Sequence, residues 1–265
     1  MTDHPTATTP PSAGGPATAG RDPGFPGGTA VSHLDVYDWP SPDGLRGGSA
    51  HVHLACTEGY VVVGGRGRVQ TLGEGGYAEE ELSRGKIVWF SPGVIHRLVN
   101  DGDLEIVVVM QNGGLPEAGD CVLTFPPATL ADEESYRGAA SLAEPGTVYA
   151  DSEHGARRRK NLAVQGFLDL REKFAADGPA ALEPFYTAAA RLVSAYLPAW
   201  HEQWRAGALA AALRTGEQID ALAHGDHRHL CAGRLRCAQP PAERSYGMCG
   251  RLETYPVLLD AHPGP

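Results

Sequence analysis

SAHVHLACTEGYVVVGG, residues 49–65, is the stretch on which the reading of the whole chain turns. His51 and His53 stand two apart in a β-rich run, so on a strand both side chains leave the same face. Glu58 opens the next run, where its carboxylate can face back across the pair. A second stretch, KIVWFSPGVIHRLVN (86–100), delivers His96 just after the tight Ser91-Pro92-Gly93 turn. The spacing predicts four strands that aim three imidazoles and one carboxylate at one point inside a barrel. Such an N₃O set suits Fe(II), Mn(II), Co(II), Ni(II) or Zn(II), and suits Ca and Mg poorly, because those ions want oxygen ligands. Four protein ligands around a six-coordinate ion leave two positions for other molecules, which a closed structural zinc site does not.

Working outward, the same alternation continues. SHLDVYD (32–38), RVQTL (68–72), LEIVVVMQ (104–111) and CVLTF (121–125) join the runs around the histidines. Gly64-Gly65-Arg66-Gly67, Gly73-Glu74-Gly75-Gly76 and Asn100-Asp101-Gly102-Asp103 read as turns between them. Short strands with Gly-rich turns and no helical period predict an antiparallel sandwich or barrel. From about Gly155 the period changes to that of a helix. Ala163, Phe167, Leu170 and Phe174 mark one helix near 156–176; Leu182, Phe185, Ala189, Leu192 and Tyr196 mark a second near 180–206. Asp177-Gly178-Pro179 breaks the two, Pro198 limits or kinks the second, and a third shorter helix covers 208–222.

The two histidine-bearing stretches resemble the motifs of the cupin superfamily. His51, His53, Glu58 and Gly65 fit the first motif, with Gly47 and Gly48 close to its leading glycine; Gly85, Gly93, His96 and Asn100 fit the second, with Pro92 displaced by one position. The resemblance covers roughly residues 32 to 126 and implies a mainly β fold, the double-stranded β-helix or jelly-roll barrel. A C-terminal α-helical extension follows it. The expected organisation is a disordered tail over 1–28, a barrel over 29–150, helices over 151–230, and a last segment over 231–265 in which Glu253 to Val257 form an edge strand.

Composition narrows the function. The net charge of −10 argues against a nucleic-acid partner, and the apolar runs are too short to span a bilayer. Few lysines among the basic residues, with abundant Ala and Gly, have the look of a GC-rich bacterial genome. Five scattered cysteines suit reduced thiols in a cytoplasm, and the N-terminal residues show no apolar signal-peptide core. The expected partners are a small-molecule substrate and a second copy in a homodimer; Trp200 and Trp204, four apart, are read as lining an entrance or a subunit interface.

The expected cofactor is one divalent transition-metal ion, with Fe(II) ahead of Mn, Ni, Co and Zn, held by His51, His53, Glu58 and His96. Glu58 and Tyr60 are the candidate catalytic residues. Tyr60 shares the face of Glu58 and could donate a proton or hydrogen bond to a bound ligand; the plain alternative is a barrel-lining aromatic. An Fe(II) oxygenase is the leading expectation. An O₂-independent sugar or keto-acid isomerase or epimerase and a non-catalytic ligand-binding or sensory protein are the alternatives. Cys56 reads as a small buried thiol in a turn, and His224, His227, His229 and Cys231 as a polar turn that lacks zinc-finger spacing. Arg157-Arg158-Arg159-Lys160 reads as solvated charge at a helix start.

Overall fold

The computed structural model describes residues 25–143 and 152–255. Its strands are β1 (Ala30–Val36), β2 (His51–His53), β3 (Glu58–Gly73), β4 (Gly76–Ser83), β5 (Ile87–Phe90), β6 (Ile95–Met110) and β7 (Cys121–Leu123), then β8 (Ser245–Tyr246) and β9 (Gly250–Thr254) near the C-terminus. Between these groups come α1 (Pro127–Leu130), α2 (Glu133–Ala140), α3 (Glu153–Asp177), α4 (Glu183–Val193), α5 (Leu197–Trp204) and α6 (Ala210–Ala223). The architecture is the expected jelly-roll barrel with a helical extension. No helix among the described residues is long and apolar enough to cross a membrane.

Two long strands make the barrel, and here the sequence reading needs correction. Gly64 to Gly67 and Asn100 to Asp103 are bends inside continuous strands and do not turn the chain. β3 and β6 pair along their whole lengths, from Glu58 opposite Met110 to Leu72 opposite Ile95, with register shifts between Val62 and Gly67. At the bend the two backbones cross so closely that a Cβ on Gly65, at φ 64°, would lie 1.9 Å from the Asp103 carbonyl oxygen. Only glycine fits there. Asn100 satisfies the backbone that the irregularity frees: its Nδ2 donates to Val36 O, and its Oδ1 accepts from the amides of Gly102 and Leu104.

Beyond the bend each long strand changes neighbours. The first half of β3 lies between β5 and β6, the second half between β4 and β6. β6 likewise pairs with β2 through His96 and with β1 through Glu105 to Met110. This exchange of partners lets one antiparallel sheet curl around a core of Leu34, Val52, Tyr60, Leu72, Ile106 and Leu123. β4 was not anticipated: Glu79, Glu80 and Glu81 disguise a strand whose face is solvated. The Gly73 to Gly76 turn does make a hairpin, with those two residues paired across it.

The helices lie on the barrel. Phe167 of α3 and Phe185, Ala189 and Leu192 of α4 are buried in the same core as the strands. Full burial of a side chain such as Phe167 contributes about 1.5–3 kcal/mol. Polar contacts fix the seat: the Thr124 hydroxyl donates to Ala163 O, and the Tyr186 hydroxyl to Gly93 O. Trp200 is buried and donates to Ala118 O, so it lines no open surface, whereas Trp204 is partly exposed. The second predicted helix is divided at Ser194–Tyr196, a 3₁₀ turn before Pro198.

The basic run 157–160 is a further correction. Lys160 is fully buried, and its Nζ donates to Trp39 O, Pro40 O and Ser41 Oγ; Arg159 is 6 % exposed. This part of the helix faces inward, and backbone carbonyls take the place of water. The expected edge strand begins earlier, at Gly250, and lies between β1 and β8; Pro256 and Val257 are outside the described residues. Residues 1–24 of the expected tail also lie outside them, while Pro26–Gly28 form a short 3₁₀ turn with Gly28 buried.

Candidate metal centre

His51 and His53 come from β2, Glu58 from the start of β3 and His96 from the start of β6, so three strands supply the set rather than four. The cross-strand pairing of His51 with His96 and the position of Glu58 at the mouth of β3 turn all four side chains inward. All are buried, at 1–7 % exposure. One potential donor atom from each lies within 4.8 Å of the others. Metal–ligand bonds of about 2.0–2.2 Å put neighbouring donors about 3 Å apart and opposite donors about 4 Å apart. The 4.8 Å spread is a little wider than that, a difference that small side-chain shifts around an ion would close.

Each imidazole is oriented by its other nitrogen. His51 Nδ1 lies 3.1 Å from Ser49 O, His96 Nδ1 3.0 Å from Val94 O, and His53 Nδ1 3.0 Å from Asp120 Oδ2. An oxygen acceptor at Nδ1 holds the proton there and leaves the Nε2 lone pair for the centre. Glu58 Oε2 stands 2.9 Å from His96 Nε2 and 3.5 Å from His53 Nε2. Even so, Glu58 Oε2 and His96 Nε2 are buried without a well-aligned hydrogen bond. Two buried polar atoms left unpaired at contact distance are an arrangement that a shared cation would satisfy. The donor chemistry therefore fits a divalent transition ion.

A family model described as the cupin domain matches residues 42–110. The barrel is a cupin domain. No curated protein matches the chain. Among solved structures, a double-stranded β-helix protein from Klebsiella pneumoniae is similar at 21% identity over 40% of this chain and 84% of that one, with a TM-score of 0.28. A cupin protein from Bacteroides fragilis is similar at 20% identity over 32% and 65%, TM-score 0.24. Oxalate decarboxylase from Bacillus subtilis is similar at 17% identity over 31% and 20%, TM-score 0.27, so this chain spans about a fifth of that enzyme's length.

The cupin centre is electrostatically prepared. Burial, with His96 and His53 close by, holds the His51 imidazole well below its usual pKa and so neutral, the form that binds metal. Burial would raise the Glu58 carboxyl, but the facing His96 and His53 overcome it and bring it down to about 2. Burial likewise opposes charge on His53, and Glu58 and Asp120 outweigh it and raise its pKa. Any proton that the raised pKa keeps on His53 would have to leave before its Nε2 could bind a metal ion.

Above the centre lies a cavity of about 260 Å³, walled by β1, β6, β9 and the Tyr246 to Cys249 segment. Tyr60 is buried on its wall, packed edge-on against Phe90, and burial followed by the nearby Glu58 pushes its phenol well above the usual range. It keeps its proton. Cys121 and Cys249 also border the cavity, and burial raises both thiols, leaving them neutral. Cys56 is buried near Asp120, as a packed thiol. Among the described residues no metal-type cluster forms at His224, His227, His229 and Cys231, which lie in an exposed or partly exposed turn after α6. Sequence reasoning missed Asp120, Arg159, Cys121 and Cys249. None carries a motif; Asp120 reaches His53, and the other three reach the cavity, from distant parts of the chain.

Proposed function

We propose that this chain is a metal-dependent enzyme that acts on a small molecule, an Fe(II)-type oxygenase centred on His51, His53, Glu58 and His96. The observation that carries the reading is the pair of unsatisfied donor atoms, Glu58 Oε2 and His96 Nε2, in a cluster whose His51, His53 and Glu58 border a ligand-sized cavity. An ion held there would supply a centre able to bind a chelating substrate and activate O₂. The residues do the rest. Asp120, Ser49 O and Val94 O fix the imidazoles; Leu34, Val108, Met110 and Leu252 keep the walls apolar and limit water. Glu58 would bind the ion and, if displaced, serve as a base, while Tyr60 would donate to the bound ligand.

A second reading rests on Tyr60 itself. A protonated phenol beside a buried carboxylate is an acid–base pair suited to an O₂-independent isomerase or epimerase, in which the ion polarises a carbonyl. Elemental analysis should find about one transition ion per chain, and His51→Ala with His96→Ala should remove it. Full occupancy in the double variant would defeat the metal assignment. Iron with O₂-dependent turnover supports the oxygenase; zinc or manganese with turnover under argon supports the isomerase. Saturable ligand binding with no turnover under either condition would make the protein a binding module.

A further inference from the structure

Arg159 is a buried charge on the cavity wall that the chemistry above does not use. It belongs to α3, outside the barrel sequence, and borders the same cavity as His51, His53 and Glu58. Both of its hydrogen bonds leave from Nη2, to Tyr246 O at 3.3 Å and Gly247 O at 2.5 Å. Nε is buried without an acceptor. Among the described residues no carboxylate pairs with this guanidinium, whereas the other buried arginine, Arg97, has Asp43 at 2.8 Å. A guanidinium withdrawn from water without a counter-charge is costly, and a fold that keeps one beside a ligand cavity has a use for it.

We infer that Arg159 is the counter-charge for an anionic substrate, a small carboxylate whose far end reaches the His51, His53, Glu58 and His96 cluster. This rests on reading that cluster as a metal centre. The remaining charges on the wall agree with it. Glu58 faces two histidines, and Glu117 already accepts from Gly114 N at 3.0 Å. With a divalent ion bound, the cavity carries net positive charge and favours an anion. The two carbonyls that hold Nη2 stop the side chain from swinging away, and the planar fork matches a carboxylate better than a neutral amide.

The test is calorimetry on the full chain loaded with zinc, a redox-inert ion, so that binding is read without turnover. The probes are 2-hydroxy and 2-oxo carboxylates of two to five carbons, each beside its neutral amide. The best acid should bind at least about tenfold more tightly than its amide, Arg159→Met should bring acid binding down to the amide level, and Arg159→Lys should keep part of the difference. Equal binding of acids and amides by the native chain would overturn the assignment, as would undiminished acid binding by Arg159→Met. If Arg159→Met fails to fold, the native comparison on metal-stripped protein decides, because no zinc is then present to favour the carboxylate. Repeating it on metal-stripped protein separates the two readings: a chain that takes up no zinc fails as a metalloprotein, while any preference for acids over amides still reports Arg159.

Discussion

At the scale of single residues, the histidine orientation has a measurable consequence. Asp120 is fully buried, accepts from the amides of Leu54 and Ala55, and faces His53 Nδ1. Asp120→Asn keeps the shape and removes the charge that makes His53 a strong donor. Metal affinity should fall about 10–100-fold, as read by competition with a chelator, with little change in fold. An unchanged affinity would mean the Asp120 carboxylate adds nothing to the ligand set. The four ligand-type residues could be found in the sequence because local spacing constrains them: two positions on one strand, a carboxylate at the next, and a histidine after a tight turn. Asp120 and Cys249 could not. They lie 67 residues from His53 and 198 from His51, and only the folded barrel brings them in.

For the elements, the helix-on-barrel packing predicts opposite outcomes for one chemical change. A Cβ on Gly166 of α3 would lie 1.9 Å from Thr124 O, whereas one on Gly216 of α6 would meet nothing within 4 Å. Gly166→Ala should therefore cost on the order of 3 kcal/mol by forcing α3 off the barrel. Gly216→Ala should stabilise by about 0.5–1 kcal/mol through helix propensity, both measured by urea unfolding. The buried ammonium of α3 gives a second prediction. Lys160→Met strands two carbonyls and a hydroxyl, and should cost about 2–4 kcal/mol in the same assay. Helical period revealed where these helices lie, but not which polar residues face inward, because a charged side chain satisfied by carbonyls looks in sequence like one in water. Gly64 to Gly67 was misread for a related reason: the residues that permit a turn are those that permit a bulge.

Considered as a whole molecule, barrel and extension share one core, and β9 pairs Ser32 to Val36 of β1 with Thr254 to Gly250. Stopping the chain at residue 151 would strip the barrel of Phe167, Phe185 and Leu192 and uncover the edge of β1. The fragment should aggregate or bind a hydrophobic dye. A monodisperse fragment with normal metal content would make the helices an independent module. The barrel could be read because alternation is a local signal; the closure of its cavity by Tyr246 to Cys249 could not, since nothing in that segment announces a strand or a site. That closure also sets an order of events during synthesis. Residues 51 to 96 leave the ribosome before β8 and β9, and a ligand set assembled then would stand open on one side. The wall bearing Cys249 lies downstream of the helices and can be laid down only after they have been made. A nascent chain could therefore hold a loosely exchanging ion. The choice of which metal to keep falls to the chain in which β9 has docked.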